Sequence, residues 1–402
     1  MAEQTEFRES KAGQDFHRPQ LIIHAGTHKT ASTYIQERLH RNSTLMLRLG
    51  FEIQDPQNHR PKPKKLVADL CKRRWNRWQR MLESRDRSRN LLLSAEQFSV
   101  PLTDADCISD LRHLARENGY SLHIVIFIRS QLDYINSRYT YSLRRFYHSL
   151  SFEEFVHDAL HGRLSNERPR RGLVERRQDV FDFWNYFQAL LEAKQDGLKV
   201  TFLPFRQGGV DPFEQFISAV GLSTKIVWKP CESRYFNRSP GTRGVWMARL
   251  LSKLLEDKNI PVKSIRDSSQ IILKEERRRC WNDPAFWGFS NHLRKQVTRH
   301  YSKPNNQFAE AAWGTSWQVA FPDDSDMQRR KRSVYSPASI GEELRMHAIG
   351  AHLLRRVQKQ RQPRPWHLLI QPIESFFNLI FPSLTLAWIG AWESISADQS
   401  KN

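Results

Sequence analysis

Leu21-Ile22-Ile23-His24-Ala25-Gly26-Thr27-His28-Lys29-Thr30-Ala31-Ser32-Thr33 is the stretch on which the fold turns. A short apolar run, a loop opening at Gly26 and a helical pattern from about Tyr34 onward make a strand, loop, helix unit. In such a unit the loop amides and the helix N-terminus point at whatever lies above the carboxyl end of the strand, which suits an anion. Lys29 brings a full positive charge there, and Thr30, Ser32 and Thr33 bring hydroxyls that either meet the anion or cap the helix. The plain alternative is a capped helix beside a lysine of no special role. A Walker loop needs Gly-x-x-x-x-Gly-Lys-Ser/Thr, and a lysine three places after Gly26 does not fit it.

Working outward, Leu91-Leu92-Leu93 and His123 to Ile128 read as buried parallel strands, each followed by a loop and helical periodicity. A fourth strand, Lys199 to Pro204, follows the amphipathic stretch Asp179 to Gln195. Strands and helices in alternation predict a three-layer α/β fold, a mainly parallel central sheet flanked by helices. From about Gly241 helical patterns take over, at Val245 to Glu256, Gln270 to Cys280, Pro284 to Tyr301 and Ile340 to Gln358. The segment Lys72 to Arg80 reads as a basic helix on which Trp75 and Trp78 share a face, either as core or as a wall for an acceptor.

The 402 residues are enough for one large α/β domain with an appendage. Lys and Arg number 63 against 43 Asp and Glu, a net charge of +20 that draws polyanions of any kind: nucleic acid, acidic glycans, anionic lipid or a phosphorylated nucleotide. Cys71, Cys107, Cys231 and Cys280 are scattered without a Cys-x-x-Cys pair, so reduced thiols are expected in place of a zinc site or disulfide framework. Met1 to Pro19 is polar with no apolar centre, which makes a cytoplasmic location the default expectation. Near the other end, the basic stretch Arg355 to Arg364 precedes the apolar Trp366 to Trp392. Its uncharged part, Ser375 to Trp392, counts 18 residues and holds Pro382, which favours a surface-lying segment on acidic lipid over a spanning helix. Packing on the protein itself is the equal alternative.

Gly26 to Thr33 resembles the 5′-phosphosulfate loop of sulfotransferases, in particular the Gly-Thr-His-Lys-Thr form of the bacterial carbohydrate-type branch. Ala31 stands where that family usually has glycine. Arg129-Ser-Gln-Leu-Asp-Tyr-Ile-Asn-Ser137 is similar to the family's second element, an arginine at a strand end and a serine eight residues on, which hold the 3′-phosphate. The resemblance runs roughly from Gln20 to Phe321 and takes in Ser94 to Phe98, Ser151 to Phe155 and Phe236 to Ser239. It implies a P-loop-type fold and 3′-phosphoadenosine-5′-phosphosulfate (PAPS) as sulfuryl donor, with no metal required. Gly26, Thr27, His28, Lys29, Thr30, Ala31, Ser32 and Thr33 would then surround the phosphosulfate. The family's later Arg-Lys-Gly-x-x-Gly motif is missing, and Arg238 and Arg243 are its weak substitutes.

For catalysis, Lys29 is expected to stabilise charge on the bridging oxygen, where one preorganised donor is typically worth about 10²- to 10³-fold in turnover. Glu96, two residues past the run Leu91 to Ser94, is similar in placement to the catalytic glutamate of carbohydrate sulfotransferases; otherwise it is a carboxylate at a helix start. His28 is a second acid or base candidate. The expected organisation is a flexible segment 1–19, a sulfotransferase domain 20–325 and a basic helical extension with an apolar tail, 326–402. The expected activity is sulfuryl transfer to a hydroxyl or amine, with a small molecule, carbohydrate or glycolipid as acceptor. No nucleic-acid partner is expected, and peripheral membrane contact, at the inner surface, would run through 355–392. A small-molecule kinase on the same scaffold and a non-catalytic binder of polyanions are the rival readings.

Overall fold

A computed structural model describes residues 18–27, 30–54, 63–163, 180–206, 209–231, 239–262, 265–322 and 330–361. His28, Lys29, Arg238 and the apolar tail 366–392 lie outside the described residues. Five strands form one sheet: β1 (Gln20–Gly26), β2 (Phe51–Ile53), β3 (Asn90–Ser94), β4 (Ser121–Arg129) and β5 (Lys199–Phe205). They run parallel in the order β2-β3-β1-β4-β5. The apolar runs of the sequence are its three central strands, and Leu21 to Ile23, Leu91 to Leu93 and Ile124 to Ile128 are all fully buried. Only a strand covered on both faces needs such unbroken apolarity.

Alternation sends Ile22, Leu92, Val125 and Phe127 to one face. There they meet Ile35 and Leu39 of α1 (Ser32–Arg41), Met46 of α2 (Ser43–Arg48) and Phe213 and Phe216 of α10 (Pro212–Ala219). On the other face α5 (Ala105–Glu117) packs on β4, and α9 (Gln188–Gln195) on β5. Between them come α3 (Pro63–Leu70), α4 (Asn76–Glu83), α6 (Gln131–Arg144), α7 (Phe152–Leu160) and α8 (Phe183–Tyr186). After β5 and α10 the chain is helical: α11 (Thr242–Asp257), α12 (Ser268–Arg278), α13 (Asn291–Trp313), α14 (Trp317–Ala320) and α15 (Ile340–Arg361).

Among the described residues, those up to 252 and 269–336 form one compact unit, which holds the sheet; those of 253–268 and 337–361 form a second. In the second, α15 buries Met346, Leu353, Leu354 and Val357, a one-sided helical spacing. Among the described residues no helix is long and apolar enough to cross a membrane. None of the four cysteines takes part in a disulfide.

Three expectations need correction. The three-residue β2 escaped the sequence reading because its stability comes from pairing with β3 at the sheet edge, which periodicity does not register. The basic tryptophan helix starts at Asn76, so Trp75 is its half-buried N-cap residue and only Trp78 is core; Arg73 is not free in water but meets Asp104 at 2.6 Å and Asp110 at 2.9 Å. The helix expected over Pro284 to Tyr301 starts at Asn291 and runs on to Trp313. Residues 285–288 stay extended because Asn136 on α6 clamps them, donating to the Phe286 carbonyl and accepting from the Gly288 amide at 3.0 Å each. A Cβ on Gly288 would lie 2.3 Å from the Phe152 ring, so only glycine fits that approach.

Candidate functional site

The three candidate elements follow β1, β3 and β4, adjacent strands whose carboxyl ends open on one side of the sheet. A crevice outside the carboxyl ends of such strands is where open α/β sheets bind ligands. Here it is a cavity of about 770 Å³, lined by Ala31 to Tyr34, Glu96, Arg129 and Ser137 among others. Gly26, Thr27 and Thr30 do not line it; they build the turn that sets its wall. Thr27 donates through its hydroxyl to the Phe127 carbonyl of β4 at 3.2 Å, and Thr30 donates to the Thr27 carbonyl at 2.7 Å. Gly26 permits this because a Cβ there would sit 2.9 Å from the Thr30 hydroxyl.

Ala31 is the N-cap residue of α1 and takes the left-handed conformation, φ 57° and ψ 15°. Its side chain makes no cap, and the first-turn amides of a helix have no partner within the helix itself. The Ser32 hydroxyl, on a residue only 4% exposed, is buried without a hydrogen-bond partner among the described residues. A positive helix end and the unpartnered Ser32 hydroxyl on one cavity wall have the chemistry of an anion site. Tyr34, one residue past Thr33, donates to Asp211 at 2.5 Å and accepts from Arg38 at 2.7 Å; burial, then the Asp211 hydrogen bond, pushes its phenol up to about 12.

Arg129 and Ser137 are brought together as their spacing suggested, with the guanidinium donating to the Ser137 hydroxyl at 3.2 Å. Sequence reasoning missed Asp133, which accepts from Arg129 Nε at 2.5 Å and also lines the cavity. The four-residue spacing from Arg129 was the signal available for it. Asp133 orients the guanidinium, and Phe205 lies under it at 5.5 Å.

Glu96 opens a 3₁₀ turn directly after β3 and lines the cavity. Nearby, His24 of β1 is fully buried and shares a 2.7 Å hydrogen bond with Ser94; burial lowers its pKa to about 4, with Glu96 acting weakly the other way. His24 is therefore neutral at pH 7. Arg243 does not line the cavity: it sits 3.5 Å from Asp283 and over the Tyr335 ring. Trp75 and Trp78 do not line it either, so the wall built from that helix is not part of this site. In their place the cavity takes Tyr141, Arg144 and Arg145 from α6, residues the sequence reading left unassigned although they continue the Ser137 stripe at helical spacing.

Compared with models of protein families, with curated proteins and with solved structures, the chain matches none.

Proposed function

We propose that this chain is a PAPS-dependent sulfotransferase on a P-loop-type scaffold, acting on a hydroxyl or amine acceptor. The observation that carries the reading is one cavity that has the start of α1, with the unpartnered Ser32 hydroxyl, on one wall and the Arg129–Ser137 pair on another. Two separated anion sites in one crevice fit a nucleotide phosphorylated at both ends. A volume of about 770 Å³ is within the usual range for a small-molecule site.

In this reading the α1 amides and Ser32 hold the 5′-phosphosulfate, and Arg129 with Ser137 holds the 3′-phosphate. Glu96 accepts the acceptor's proton as its oxygen bonds to sulfur. The bond from sulfur to the bridging oxygen breaks, and its electron pair leaves on the 5′-phosphate of adenosine 3′,5′-bisphosphate. Lys29, next to Thr30 in sequence, is assigned to that leaving oxygen. His24, buried and neutral behind Ser94, is not the base.

Calorimetric titration with adenosine 3′,5′-bisphosphate and with ADP tests the reading. The bisphosphate should bind at least about tenfold more tightly, since only it offers a phosphate to Arg129 and Ser137. Equal affinities, or a preference for ADP, would overturn the assignment and favour a kinase.

A further inference from the structure

Helix α6 is a wall of the cavity for most of its length, presenting Asn136, Ser137, Thr140, Tyr141, Arg144 and Arg145 at spacings of three and four residues. At 1.5 Å per residue, Arg144 and Arg145 stand about 10 to 12 Å beyond Ser137 along the helix axis. The cavity therefore continues well past the place assigned to the 3′-phosphate. Tyr141 and Glu96 line the same cavity: burial raises the Tyr141 phenol, Arg145 opposes that rise, and Tyr147 and then Glu96 add to it. Along α6 the order is Ser137, then Tyr141, then the two arginines, with Glu96 lining the same cavity.

Those arginines are held in place. The end of α6 is closed by two reverse bonds, Phe146 N–H to the Leu143 carbonyl at 2.8 Å and Tyr147 N–H to the Ser142 carbonyl at 3.1 Å. Phe146 sits between them at φ 61°, a conformation that usually calls for glycine, and it stays there because its ring is buried. Arg144 is 5% exposed, and burial, then the adjacent Arg145 charge, lowers its pKa. Arg145 stacks on Tyr141 at 4.8 Å, and its Nε is buried without a hydrogen-bond partner among the described residues. Arginines that serve only to offset a helix C-terminus gain that benefit in solvent. Two adjacent guanidinium groups on a cavity wall, with Arg145 Nε buried and unsatisfied, suit an anion.

Resting on the donor and Glu96 assignments above, we infer that the acceptor is itself an anion: a sugar bearing carboxylate or sulfate groups, seated on Arg144 and Arg145 with its reacting hydroxyl at Glu96. Tyr141 supplies a flat face for the ring between the two. A planar fork donating to a carboxylate or sulfate sets the register of the sugar, so the hydroxyl presented to Glu96 is the one at a fixed distance from the bound charge.

The test is calorimetric binding, to the full chain, of a disaccharide carrying both a uronic acid and a sulfate ester, beside its desulfated, carboxyl-reduced counterpart. The acidic sugar should bind about 10- to 100-fold more tightly. Arg145→Gln should remove most of that margin and Arg145→Lys restore part of it, with thermal melting confirming that each variant is folded. No binding of the acidic sugar, equal affinity for the two sugars, or a margin untouched by Arg145→Gln overturns the inference. No nucleotide is present, so the two readings fail separately. Bisphosphate binding without acidic-sugar preference removes only the anionic acceptor, and the reverse result removes the donor assignment while leaving an acidic-sugar site.

Discussion

Ala31 holds a left-handed backbone at the point where the turn after β1 becomes α1. For a residue with a Cβ that conformation is strained by roughly 1 kcal/mol, and such strain collects where a backbone must be aimed at a ligand. The glycine usual in the resembling loop would relieve it, while adding freedom to the unfolded chain. The first effect is the larger where φ is positive, so Ala31→Gly is expected to raise stability by about 0.5 kcal/mol and to leave or improve bisphosphate affinity. Denaturant unfolding and the calorimetric titration check both parts, and a destabilised variant would show that the Ala31 methyl has a packing role. Asp133 is the matching case on β4's side of the cavity. Its hold on Arg129 is local, four residues apart, yet which way both groups point depends on the cavity they share.

At the scale of elements, β1 and β4 each carry a histidine inside the sheet. His24 is lowered to about 4 and His123 to about 3, both chiefly by burial, and His123 is tied to Gln20 at 3.1 Å and Thr201 at 2.9 Å. Their ordinary value is near 6.5, so between pH 6.5 and 4 the unfolded chain binds protons that the folded chain refuses. The stabilisation is complete above pH 6.5 and is lost as pH falls through that window. A loss on the order of a few kcal/mol is expected. Thermal melting from pH 7.5 to 4 should show the drop, and it should be shallower in His123→Gln; a flat profile in the native chain would mean these rings are solvated. Strand identity was legible because unbroken apolar runs need two covered faces, whereas the start of α13 was not. The reading ran a helix back to Pro284, but Asn136, far away in sequence, clamps 286–288 in extended form.

Among the described residues, positive charge gathers in the arginines of the cavity and, on α15, in the exposed Arg355, Arg356 and Lys359. A basic helix followed in sequence by the apolar run 366–392 suits acidic lipid, each lysine or arginine near such a surface being worth about 1 kcal/mol. Flotation with vesicles containing anionic lipid is expected to recover the full chain and to lose it when 366–402 is removed. Equal recovery of both forms would remove the membrane contact.

The positions of four of the five strands, the parallel α/β class and the pairing of Arg129 with Ser137 could be read from residue order, because apolar runs and short spacings are local properties of the chain. That the turn after β1, the start of the 3₁₀ segment after β3 and the helix after β4 open on one cavity is a consequence of strand order, which brings β3, β1 and β4 side by side. Asp133, Tyr141, Arg144 and Arg145 took on meaning only with that packing. A helix repeats every 3.6 residues whichever way it is turned, and its neighbours in space choose the face that becomes a wall.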